Sequence, residues 1–175
     1  MEPSEEIVTA WLNQEGFFTL NNYKIGRSEL DLLAFNHLEN KKWHVEMSVS
    51  VRPVGGWARQ EDSLRDHAYS VLGKEQYEER IGNVFRKKFV GDKGRIENKV
   101  KEIFGGSYDK YLIVGKLDPK YDPEDVFVQA WKKNDVRVKF FGEIIKEIKI
   151  TLQSYRDLGR RYMQLIEIFR HEIVK

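Results

Sequence analysis

The sequence predicts an α/β fold built on a mixed central sheet, and three observations carry that reading. Residues 29–36 and 43–51 alternate with strand period. Tyr111 to Leu117, YLIVGKL, is a nearly continuous apolar run of the kind a fully buried strand carries. Helical-period segments lie before, between and after these strands. With 175 residues, 41% of them hydrophobic, the chain is long enough for one domain with a full core. It is read as a single domain, 1–175, with a helical insertion at about 53–107 and a C-terminal helical extension at about 142–175.

The first helix is expected from Ser4, as N-cap, to about Gln14, with acids in its first turn facing the positive end of the helix dipole. Ile7, Val8, Trp11 and Leu12 form its apolar stripe; Glu5 falls at the margin of that stripe and Glu6 points away from it. Strands are expected near 17–24, 29–36, 43–51, 110–117 and 136–141. After Pro53-Val54-Gly55-Gly56, a helix is expected over about 57–71 and a second from Lys74 to Gly91, on the spacing of Tyr77, Ile81, Val84, Phe85 and Phe89. A third, about 95–104, ends at Gly105-Gly106. Asp122-Pro123-Glu124-Asp125 opens a helix through Trp131, and Asn134-Asp135 turns into the last strand. Helices between the later strands favour parallel, right-handed crossovers. Ile144, Ile145, Ile148 and Leu152 mark the next helix. Ser154 to Asp157 reads as a capping box opening a final one, with Leu158, Tyr162, Leu165, Ile166, Phe169 and Ile173 on one stripe.

Composition sets limits on function. Thirty basic residues against 28 acidic ones leave net charge uninformative about nucleic acid. The absence of cysteine excludes disulfides and thiolate metal sites, so any metal must sit on oxygen or histidine. The N-terminal stretch lacks the basic start and apolar run of a signal peptide, and no stretch approaches the roughly 18 apolar residues of a membrane span, so a cytoplasmic protein without a membrane partner is expected. No GxxxxGK[ST] or GxGxxG follows a strand, which argues against a nucleotide cofactor, and no G-x-S-x-G announces a serine nucleophile.

The chemistry concentrates between Gly26 and Arg52. Alternation puts Glu29, Asp31, Leu33 and Phe35 on one face of the earlier strand, and His44, Glu46, Ser48, Ser50 and Arg52 on one face of the later. If residues 36–42 turn the chain back, the strands lie about 5 Å apart and Asp31 and Glu46 can converge. Two hard oxygen ligands in a half-buried cleft suit Mg²⁺, which accepts one or two carboxylates and keeps positions for water and phosphate oxygens. Taken as strand positions alone, the two acids also read as ordinary solvated side chains.

These residues resemble a known pattern. Gly26, Arg27, Glu29 and Asp31, followed by an apolar strand with Val45 before Glu46, resemble the PD-(D/E)XK nuclease superfamily, nearest in flavour to Holliday-junction resolvase-like endonuclease domains. Glu5, Val8, Trp11, Leu12 and Gly16 stand at the spacing of that family's first helix. The resemblance covers roughly the first fifty residues. It implies a restriction endonuclease-like α-β-β-β-α-β core and metal-dependent hydrolysis of DNA phosphodiester bonds. Asp31, Glu46 and the carbonyl of Met47 would be ligands to Mg²⁺ or Mn²⁺, and Glu5 the helical acid. The family's lysine, two residues beyond the second acid, is Ser48 here. Lys24, Arg52 and Lys99 are candidates for a substitute cation.

Between Arg86 and Lys101 stand seven basic residues against two acids, a surface suited to phosphates. Lys87, Lys88, Lys93 and Arg95 are the candidate nucleic-acid contacts, and a solvated basic helix end accounts for them equally well. DNA is therefore the expected partner, and a homodimer is left open. The alternative is a catalytically degenerate nuclease-fold domain serving as a nucleic-acid-binding or protein-interaction module.

Overall fold

Two apolar faces of one sheet, each covered by helices, order the protein, whose computed structural model describes residues 3–49 and 69–152. Helix α1 (Pro3–Gln14) starts one residue before the expected cap; proline's fixed φ and missing N–H suit a first turn, and Ser4 lies inside the helix, buried. Its stripe of Ile7, Val8, Trp11 and Leu12 is buried as the spacing predicts.

The strands are β1 (Phe18–Ile25), β2 (Ser28–Asn36), β3 (Lys41–Ser48), β4 (Asp109–Val114) and β5 (Val136–Phe140), and their order across the sheet is their order in the chain. Short turns leave β1–β2 and β2–β3 antiparallel, whereas β3–β4 and β4–β5 are parallel and joined by crossovers that carry helices. Between β3 and β4 lie α2 (Tyr69–Phe85), a π-helical turn (Arg86–Val90) and α3 (Arg95–Phe104). Helix α4 (Glu124–Lys132) joins β4 to β5, and α5 (Phe141–Leu152) follows directly.

Leu32, Ala34, Val45 and Ile113 face α1 and α5, with Phe141, Ile144, Ile145 and Ile148 completing that core. Leu112, Val114 and Val136 face the other way, under Tyr77 and Ile81 of α2, Phe89 of the π turn, and Phe127 and Trp131 of α4. A third cluster packs Ile96 and Val100 of α3 on Ile25, Leu30 and Leu33. Each such side chain removed from water contributes about 1.5–3 kcal/mol.

The elements depart from expectation mainly at their ends. The strand expected to reach residue 51 stops at Ser48, and the one expected to reach 117 stops at Val114, where the Gly115 N–H donates to the Ser48 carbonyl at 3.1 Å. The break expected between Val71 and Lys74 falls at Gly73, with φ 71° inside α2. The helix expected to continue to Gly91 becomes π-helical over its last five residues, closing on a Gly91 N–H to Arg86 carbonyl bond of 2.8 Å. Gly91 has φ 73°, and a Cβ there would stand 2.7 Å from Ile96 Cγ1, so both the conformation and the space demand glycine. The expected helix start near residue 57, Ser50, Arg52 and the final helix from Ser154 lie outside the described residues. Among the described residues no helix is long and apolar enough to cross a membrane.

Candidate active site

The β2–β3 ladder ends at the pair Leu32–Val45, and one step further stand Asp31 and Glu46. There Asp31 takes over from the backbone: its Oδ2 accepts the Met47 N–H at 2.7 Å, so a side chain stands where a strand carbonyl would. On the other side, the β1–β2 pairing skips Asp31 and Asn22, and Asn22 has a left-handed backbone, φ 53°. Asp31 thus sits at a local interruption of the sheet, flanked by a second acid.

Glu46 is 3% exposed, and each carboxylate oxygen meets its own donor. Oε1 lies 3.0 Å from His44 Nε2, and Oε2 accepts from Lys88 Nζ at 2.9 Å. The same Nζ is 3.8 Å from Asp31 Oδ2. Three elements therefore build the cluster: β2 supplies Asp31, β3 supplies His44 and Glu46, and the π turn supplies Lys88. The turn seats Lys88 by anchoring its neighbour, for Phe89 is fully buried and packs edge-on against the His44 ring, centroids 4.9 Å apart.

Electrostatics separate the two acids. Burial pushes Asp31 up to about 6, the charge of Glu46 pushes it the same way, and Lys88 with the Met47 N–H pulls it back. Burial also pushes Glu46 up, but the His44 hydrogen bond and the Lys88 charge outweigh it and hold that carboxyl below its ordinary value. Glu46 is thus the ionised member, and Asp31 the one that takes a proton first as pH falls.

The acids open into a cleft of about 510 Å³. Arg27, Ser28 and Glu29 of the β1–β2 hairpin line it together with Val84, Lys87, Lys88 and Ile96. Arg95 closes against the hairpin tip, its Nη1 2.8 Å from where a Cβ on Gly26 would stand.

The structure brings together Asp31, Glu46 and Lys88, with Lys87 on the rim, but not every residue of the expected set. Glu5 is met by Asn22 Nδ2 at 3.4 Å and does not line the cleft, because α1 covers the sheet face bearing Leu32, Ala34 and Val45. Among the described residues no three of His, Asp and Glu gather as a metal-holding group, so the three-acid set of Glu5, Asp31 and Glu46 does not form. Met47 meets Asp31 through its backbone while its side chain packs with the α1 core. Ser48 is half-buried at the end of β3. Of the candidate substitute cations, Lys24 is exposed beside Glu29, Lys99 is paired with Glu102 at 2.7 Å, and Arg52 is outside the described residues. Lys93 is exposed, and Arg95 lies 3.9 Å from Asp92.

Two participants hold places at the acids that the sequence does not assign them. Lys88 counted as one surface cation among four, yet it is the one that reaches the acids. His44 counted only as a residue sharing a face with Glu46; the spacing of two, which puts both on one side of a strand, was the available signal. No family model, no curated protein and no solved structure matches the chain.

Proposed function

We propose that the protein is a divalent-metal-dependent DNA nuclease of PD-(D/E)XK type in which Lys88 takes the place of the motif lysine missing at Ser48. The observation that carries the reading is the meeting of Asp31, Glu46 and Lys88 from three separate elements, Nζ 2.9 Å and 3.8 Å from the two carboxylates. The element order supports it: one helix, three antiparallel strands, a helical crossover and a parallel fourth strand.

The donors suit a hard cation. Two carboxylates crowd one place, the ammonium of Lys88 already stands there as a cation, and Asp31 rises to about 6 through burial first and the repelling charge of Glu46 second. Asp31, Glu46 and the Met47 carbonyl would hold Mg²⁺ or Mn²⁺. When bound, the ion supplies Lewis-acid polarisation of a phosphoryl oxygen and a nucleophile at neutral pH.

The side chains do the rest. Lys88 Nζ, swung from Glu46 toward a phosphate, offsets the charge that develops on it during hydrolysis. Arg27 and Lys87, which both line the cleft, hold the flanking backbone, a contact to phosphate that is independent of sequence.

The test is cleavage of a panel of duplex, single-stranded and branched DNA under Mg²⁺ and Mn²⁺ titration. Asp31→Ala and Glu46→Ala should each abolish it, and cleavage that survives Asp31→Ala places the chemistry elsewhere. One observation favours a second reading, a degenerate domain that binds DNA without cutting it: Lys88 neutralises Glu46 within the protein itself. That reading predicts no cleavage by the wild type. Ser48→Lys would then restore activity, because strand alternation puts position 48 on the face of Glu46.

A further inference from the structure

Glu46 has two donors of unlike character. Lys88 reaches it on a flexible arm and is 26% exposed; His44 is fully buried, a rigid ring wedged edge-on against Phe89. A carboxylate has no hydrogen to give, so the contact at 3.0 Å requires that His44 Nε2 carry one. The other ring nitrogen, Nδ1, is buried with no hydrogen-bond partner among the described residues, so the bond to Glu46 is the polar contact that accounts for an imidazole here. A leucine would fill similar space without leaving a nitrogen orphaned.

We propose that His44 is a positioning residue for Glu46: it fixes Oε1 so that Oε2 stays aimed into the cleft when Lys88 leaves it. The role is that of the outer-shell partner of a metal-ligating carboxylate, and it rests on the reading of Asp31 and Glu46 as ligands. Lys88 can depart with any change at the cleft mouth, whereas His44, on the same strand two residues away, moves only with the sheet.

The experiment compares full-length His44→Leu and His44→Gln with wild type, using Mn²⁺ alone as the probe and paramagnetic resonance of free Mn²⁺ as the readout. His44→Leu should weaken Mn²⁺ binding by about 10- to 100-fold. His44→Gln, whose amide N–H can replace Nε2–H, should return it to within about threefold, which a purely space-filling role does not explain. Wild-type affinity in His44→Leu, or a His44→Gln variant as weak as His44→Leu, would overturn the proposal. If His44→Leu does not fold, folded His44→Gln decides alone, a loss beyond about tenfold counting against the proposal.

Failure of the metal reading shows separately, as wild-type protein whose Mn²⁺ binding Asp31→Asn does not change. In that case the coupling is read without metal, from unfolding midpoints of His44→Gln and, where it folds, His44→Leu in Glu46 and Glu46→Met backgrounds. A smaller effect in the Glu46→Met background supports positioning; equal effects refute it.

Discussion

Lys88 Nζ lies 2.9 Å from Glu46 Oε2, an ion pair joining a buried strand acid to a helical turn forty-two residues later. Removing the ammonium leaves a carboxylate that is 4% exposed and has lost its charged donor, keeping its contact with His44. Lys88→Met should therefore destabilise the fold by about 1–3 kcal/mol, less than a fully enclosed pair because Lys88 touches solvent. Denaturant unfolding checks this, and a Glu46→Gln background should remove most of the loss. If the site cleaves DNA, Lys88→Met should lower kcat far more than it raises KM.

Asp31 gives a pH dependence of definite sign. Its folded value of about 6 lies above the ordinary 3.8, so its contribution to stability is fully present below about pH 4 and is lost as pH rises through about 6. Asp31→Asn should consequently stabilise the protein above pH 6, by roughly 2–3 kcal/mol at pH 8, with the difference from wild type vanishing near pH 4. Denaturation series across that range measure it. The same variant should lose metal-dependent cleavage, making Asp31 a residue whose removal helps the fold and ends the chemistry.

The exposed cations should reveal themselves in salt dependence. Arg27, Lys87 and Lys93 are exposed and Lys88 is engaged with the acids. Replacing Arg27, Lys87, Lys93 and Arg95 with Ser should weaken DNA binding evenly across sequences and reduce the slope of log K against log salt by roughly one for each phosphate no longer neutralised. An unchanged slope would assign these side chains to solvation.

Gly91→Ala tests the joint between the π turn and α3. With φ 73° and Ile96 Cγ1 2.7 Å from the new methyl, it should lose roughly 2–4 kcal/mol in strain and clash together. Gly105→Ala has a similar φ of 66° with nothing within 4 Å, and should lose only about 1–2 kcal/mol. Comparing the two unfolding midpoints isolates the contact with Ile96.

What sequence could show follows from how local each signal is. The faces of Leu32 to Ala34 and of β3 were readable because strand period two fixes them, but alternation fails at Asp31, where Leu30 packs with Leu33 against α3 instead of with Leu32. Antiparallel return of residues 36–42 is enough to bring Asp31 toward Glu46. Helix α3 was readable because Gly105-Gly106 marks its stop. Glu5 was not, since its place at the edge of a helical wheel does not say which sheet face the helix will cover. Lys88 was not either: its neighbour Phe89 fits an unbroken α-helical stripe, and nothing in RKKFV announces an i to i+5 bond.

That bond makes the cleft depend on residue count. One residue advances an α-helix by about 100°, so trimming a single residue from Arg86–Val90 and restoring ordinary winding would turn Lys88 and Phe89 together, the one out of the acids and the other out of the core. Surface loops absorb insertions and deletions; this segment cannot. In a diverging set of sequences it should keep its length and the pair Lys88-Phe89 while Arg86, Lys87 and Val90 vary, a frame held fixed by two opposite demands placed on adjacent residues.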